Sequence, residues 1–193
     1  MWLSAGISFS LGVWSVLALY VFSRIRDAYL RADQFPSKLL PLWYAMWAFH
    51  HVPVVLASLN GSWLLPSSSH VAIILGAVIF LAGTTSVVIG MIQFGSYARS
   101  AGQDNSRLIN FGIYRWSRNP QVVGWFTVLF GISIAGRSGL AVLLTAVFGV
   151  VLHAYTVRLE EPYLERIYGE QYKRYKVITH RYAGIPREAD GAS

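Results

Sequence analysis

QVVGWFTVLFGISIA, GRS, GLAVLLTAVFGVVLHAYTV: residues 121–157 contain one charged side chain, Arg137, and it lies in the three-residue break between two apolar runs. About 20 apolar residues are needed to cross the hydrocarbon core of a bilayer as a helix. Inside that core each backbone N–H must be satisfied within its own helix. The first run, 121–135, is short and the second, 139–157, is nearly full length, so the stretch predicts a tight antiparallel helical hairpin in a membrane. Moving outward, the runs 3–23, 39–59 and 71–92 meet the same test. The first of these has no basic leader and no small-residue cleavage site, and it reads as a span rather than a removable signal. The expected fold is an all-α integral membrane bundle of about five transmembrane helices forming one membrane domain. A chain that is 54% hydrophobic and only 13% charged fits that class and not a soluble domain.

The charges are sorted along the chain. Of the 16 Lys and Arg residues, fifteen fall after the first run, after the third run, or beyond Val157; Arg137 alone falls on the other side. Short loops rich in Lys and Arg stay in the cytosol. The N-terminus is therefore expected outside and the C-terminus in the cytosol. Topology and attraction to anionic lipid account for the net charge of +7, and no nucleic-acid partner is expected. With no cysteine, disulfides and thiolate metal sites are excluded. Neither a dinucleotide fingerprint, a P-loop nor a nucleophile elbow is present.

Beyond the fifth run, Leu164, Tyr168, Tyr172 and Tyr175 recur at helical spacing. Pro162 suits a first turn, Glu160 and Glu161 suit the positive end of the helix dipole, and Lys173, Arg174 and Lys176 suit the other end. These residues predict an amphipathic cytosolic helix over 160–176, folding back over the fifth span. Residues 188–193 are expected to fray.

Two places could carry chemistry. In the first, Asn119-Pro120 opens the fourth span, with Asn119 expected as the cap and Pro120 in the first turn. Beside them Arg115, Arg118 and the helix end would attract an anion; the same residues also fit a plain membrane-entry cap with interfacial aromatic anchors. The second is His153 with Arg158, Glu160 and Glu161. His153 and Glu160 are seven apart and could share a helix face, although the acidic pair also fits a solvated helix start. His50 and His51 lie deeper in the second span and are expected to be neutral and hydrogen-bonded, because no further ligands for a metal accompany them.

Taken together, GIYRWSRNPQVVGW (112–125), the hairpin and VRLEEPYLERIYGEQYKRY (157–175) resemble the isoprenylcysteine carboxyl methyltransferase and phospholipid methyltransferase superfamily. LGAVIFLAG (75–83) is similar to a span of the phospholipid branch. The resemblance covers about 70–185 and implies an S-adenosylmethionine-dependent methyltransferase, with its cofactor region in 93–120 and 153–185. By that resemblance Leu108 and Ile109 line the adenine. Gly112, Tyr114, Arg118, Asn119 and Pro120 form the cofactor motif, Glu160, Glu161 and Tyr172 belong to the closing helix, and Arg181 follows it. Asn119 stands where many relatives have His, and Val122 where Tyr is usual.

Methyl transfer from a sulfonium needs alignment and exclusion of water rather than a covalent nucleophile. Arg158 or Arg118 would position a carboxylate acceptor, Glu160 or Glu161 would take a proton from an amine, and a thiolate would be favoured near arginine. The acceptor is thus expected to be a lipophilic or small molecule entering from the bilayer, with carboxylate, amine and thiol all open. The other readings are a membrane NAD(P)H-dependent sterol or enone reductase and a non-catalytic membrane protein.

Overall fold

The computed structural model describes residues 2–31 and 34–187; the tail expected to fray, 188–193, lies outside the described residues. Helix α1 (Trp2–Arg31) is followed by α2 (Leu40–Leu59), α3 (Ser69–Phe94), the single turn α4 (Tyr97–Ser100), α5 (Pro120–Ala135) and α6 (Gly139–Tyr155). A π turn (Thr156–Glu160) then leads into α7 (Glu161–Tyr168), and α8 (Glu170–Ile178) closes the order. There is no strand among the described residues, only an isolated bridge between Leu64 and Ser138.

Four helices are long and apolar enough to cross a membrane, and α5 is a shorter apolar fifth. The chain is a multi-pass membrane protein. The five helices alternate in direction, so the segments 34–39, 95–119 and 156–187 gather at one end, here called the basic end. At the far end Ser68 and Ser138 cap α3 and α6, their hydroxyls accepting from Val71 N and Ala141 N. Arg137, the one basic residue there, donates to Leu65 O and Ser69 Oγ.

Helices α3 and α5 form the closest pair. Gly76, Gly83 and Gly90 repeat every seven residues on α3 and face Gly124 and Gly131, seven apart, on α5. Small residues let membrane helices approach backbone to backbone. The pairing sets the height of α5: its first residues, Pro120 and Gln121, stand beside Gly90, one turn short of the end of α3. The other packing centre joins α1, α2 and α6 through Val21, Ile25, Met46, Val54, Phe148 and Leu152, all buried.

Three expectations are corrected. First, α1 does not stop near residue 23 but runs to Arg31. Val21, Ile25 and Tyr29 continue a buried stripe at spacing four while Arg24 and Arg26 point outward. Second, the helix expected over 160–176 is two helices, broken at Gly169, whose φ of 53° is open to glycine at little cost. Its first half does not fold back: α6, the π turn and α7 run on as one helix, Gly139–Tyr168. Pro162 has no N–H for the carbonyl one turn earlier, and a π turn is a usual way to absorb that loss. Third, the π turn lies between His153 and Glu160, so their spacing of seven no longer implies one face.

Candidate active site

The basic end is built around one carboxylate. Glu161, at the start of α7, is 5% exposed. Arg181 reaches it with two hydrogen bonds, Nε to Oε1 at 2.8 Å and Nη2 to Oε2 at 2.9 Å. Arg118 Nη2 lies 3.0 Å from Oε1. Burial works against ionisation, but the Arg181 hydrogen bonds and the charges of Arg118, Arg181 and Lys176 outweigh it and hold the carboxyl below its ordinary range. Glu161 is thus an organising anion and a poor proton acceptor.

The three charges join segments far apart in the chain, and the backbone repeats the junction. Arg118 N donates to His180 O at 2.9 Å, Gly184 N to Trp116 O at 3.1 Å, and Asn119 Nδ2 to Arg181 O at 3.1 Å. Residues 179–187 therefore form a strap over the 112–119 loop, with Tyr182 OH also 2.7 Å from His153 Nδ1. The expected side-chain cap from Asn119 is not made. Asn119 instead turns its amide to the strap, where Nδ2 donates to Arg181 O.

Beneath the strap, Tyr114 is buried and receives a hydrogen bond from Gln121, while Tyr175 OH donates to Tyr114 O at 2.6 Å. Gly112 has φ of 58°, and a Cβ there would run into the Gln93 side chain, whose Oε1 accepts from Ile113 N. Tyr172 and Ile109 are buried and Leu108 half-buried. The structure brings Arg118, Asn119, Pro120, Tyr114, Tyr172, Glu161 and Arg181 together. It leaves Arg158 exposed on the π turn, outside the ion cluster. The partly buried Glu160 makes no ion pair among the described residues. Burial, and then the neighbouring Glu161 carboxylate, push its carboxyl up to about 7. A cleft of about 460 Å³ opens beside the cluster, lined in part by Glu161, Val157 and Lys176.

Residues 71–171, more than half of the chain and including the loop and the acidic pair, match the family model described as phospholipid methyltransferase. The chain belongs to the phospholipid methyltransferase family. It is a membrane methyltransferase, and the match ends just short of Tyr172, so the rest of α8 and the strap are carried by the geometry alone. No curated protein and no solved structure matches the chain significantly.

Several contacts around the candidate site of this methyltransferase escaped the sequence reading. Tyr29 stacks on Tyr163 with centroids 3.8 Å apart and shares a hydrogen bond with Tyr155 OH. Asn105 donates to Tyr163 OH at 2.8 Å. The stripe Val21, Ile25, Tyr29 was the signal that could have placed the end of α1 here. Nothing local marks Gln93 or Asn105.

Proposed function

We propose that this membrane methyltransferase uses S-adenosylmethionine, with its reacting groups at the basic end on the cytosolic face. The observation that carries the reading is Arg118. Its side chain is 7% exposed, and its Nε and Nη1 atoms are buried without a hydrogen-bond partner although Nη2 is held by Glu161. Leaving such donors unpaired costs about 1–3 kcal/mol each or more, which fits a seat for an anion such as the cofactor's carboxylate. Tyr172, Ile109 and Leu108 offer an apolar wall for its adenine. When bound, the cofactor supplies a methyl group already activated by the positive sulfur.

The remaining work falls to the chain. Arg118 holds the anionic end, and the strap, tied down by Arg181, shields the loop from water. Glu160, which lacks a basic partner and has a raised pKa, suits the removal of a proton from an ammonium acceptor before its nitrogen lone pair can take the methyl group. A lipophilic amine arriving from the bilayer is therefore the acceptor favoured here; a carboxylate acceptor would need no such base.

Isothermal titration of the detergent-solubilised protein tests the cofactor. S-adenosylhomocysteine is expected to bind and NADPH not to. Binding of NADPH alone would overturn the reading in favour of a reductase. The proton acceptor has its own test. Because Glu160 acts only when ionised, transfer to an amine should rise as pH increases through about 7. Glu160→Gln should lower the rate roughly 10²–10⁴-fold and flatten that rise. A variant that kept both rate and profile would remove Glu160 from this role.

A further inference from the structure

Half-way down the bundle lies a second cluster of polar groups, unconnected to the ion cluster. His50 is the eleventh residue of the 20-residue α2, about 15 Å from either end at 1.5 Å per residue, and so near the bilayer midplane. It is 0% exposed. The expectation of hydrogen-bonded histidines is met only in part: the His51 ring bonds the Trp47 backbone, whereas the His50 ring lies against the Leu144 backbone without either nitrogen reaching full hydrogen-bond geometry. Trp14 Nε1 on α1 and His51 Nε2 are likewise buried and unpartnered. The rings are neighbours, with centroids 5.0 Å apart for Trp14 and His50 and 5.8 Å for His50 and His51. Inside a bilayer no bulk water offsets such a loss, and ionisable groups at this depth mark functional sites by default.

We infer that Trp14, His50 and His51 form an intramembrane binding site for the hydroxyl group of a membrane-soluble alcohol. The chemistry narrows the ligand. A neutral imidazole offers one donor and one acceptor, and an indole offers one donor, so the complementary group both gives and takes a hydrogen bond. The membrane-crossing stretches around the cluster hold no Asp, Glu, Lys or Arg, which excludes a charged group, since it would lie unpaired in hydrocarbon. Phe148 and Trp47 close the sides of the cluster, Phe148 lying 5.2 Å from His51 and 5.1 Å from Trp47. The way in is lateral. His51 is half-buried and sits 5.8 Å from Trp125, which is 46% exposed on α5. Trp125 is five residues into α5 from Pro120, about 8 Å along the axis, so a molecule held here would reach the candidate active site with a short further stretch of its length. The site itself does not depend on the methyl-transfer reading.

The full chain in nanodiscs, irradiated with a diazirine-bearing long-chain alcohol and separately with the matched diazirine alkane, tests the proposal. The alcohol is expected to label peptides of α2 and α5 about five- to tenfold more than the alkane, the worth of roughly one hydrogen bond. Trp14→Phe, which removes only the N–H, and His51→Phe should each bring the alcohol down towards the alkane level, while S-adenosylhomocysteine binding persists to show that both variants fold. Equal labelling by the two probes, or labelling by the alcohol that both variants leave unchanged, would overturn the site and leave these groups to internal water. Loss of S-adenosylhomocysteine binding in the unaltered protein would instead count against the cofactor reading alone.

Discussion

Replacing Glu161 with alanine is expected to destabilise the protein by about 3–5 kcal/mol and to lower methyl transfer about a hundredfold, as expected when reacting groups are misplaced by an ångström. The reason lies in what remains. Arg118 is as buried as its partner, each side chain being 7% exposed, and without Glu161 its charge has no carboxylate in reach. Breaking one side of a buried pair is costly because of that leftover charge, more than because of the lost attraction. Glu161→Gln should behave similarly, since it keeps the shape and removes the charge. Arg181→Ala should be milder, because the Arg181 side chain is 34% exposed and water can replace part of its contact. Adding Arg118→Leu to Glu161→Ala should recover part of the stability without recovering transfer. Unfolding in mixed micelles orders the four variants. A Glu161→Ala protein no less stable than Arg181→Ala would show that the cluster does not hold this end together.

The fold and the site were legible to different depths, for physical reasons. Crossing a bilayer requires long uncharged runs, and that requirement is written locally, so the apolar runs at 39–59, 71–92, 121–135 and 139–157 fall on the helices α2, α3, α5 and α6. Where helices leave the hydrocarbon, charge no longer reports the boundary. The end of α1 was missed because Arg24 and Arg26 look like a loop, whereas only their face of the helix is exposed. Of the candidate site, the resemblance supplied residues but not which of them meet. Arg118 meets Glu161 across 43 positions and Arg181 across a further 20, a relation created by the packing of α7, α8 and the strap. Asn119 shows the limit most clearly. Its position beside Pro120 predicts a cap, and only the strap overhead reveals that its amide is used elsewhere.

The other large effect should come from the seam between α3 and α5, far from any polar group. A Cβ on Gly83 would stand 2.6 Å from Val128 N and 2.7 Å from Gly124 O. Both are backbone atoms of a helix, which cannot turn aside as a side chain can, so Gly83→Ala must push the two helices apart. Overpacking of this kind costs about 1–3 kcal/mol, and Gly83→Leu should prevent the pair from closing. Activity should fall with stability, because the seam fixes the loop as well as the bundle. Ser86 Oγ donates to Pro120 O at 2.9 Å, and Gln121 and Tyr114 pack against Gly90, so separating α3 from α5 displaces Arg118 and Asn119 from the strap. Gly12 supplies the control, since a Cβ there meets nothing within 4 Å and Gly12→Ala should melt no lower than the unaltered protein. The expected order of melting temperature is Gly83→Leu below Gly83→Ala, with Gly12→Ala and the parent together above both. If Gly83→Ala and Gly12→Ala melted alike, the close approach of α3 and α5 would be dispensable, and the height of the motif loop would have to be set by the strap alone.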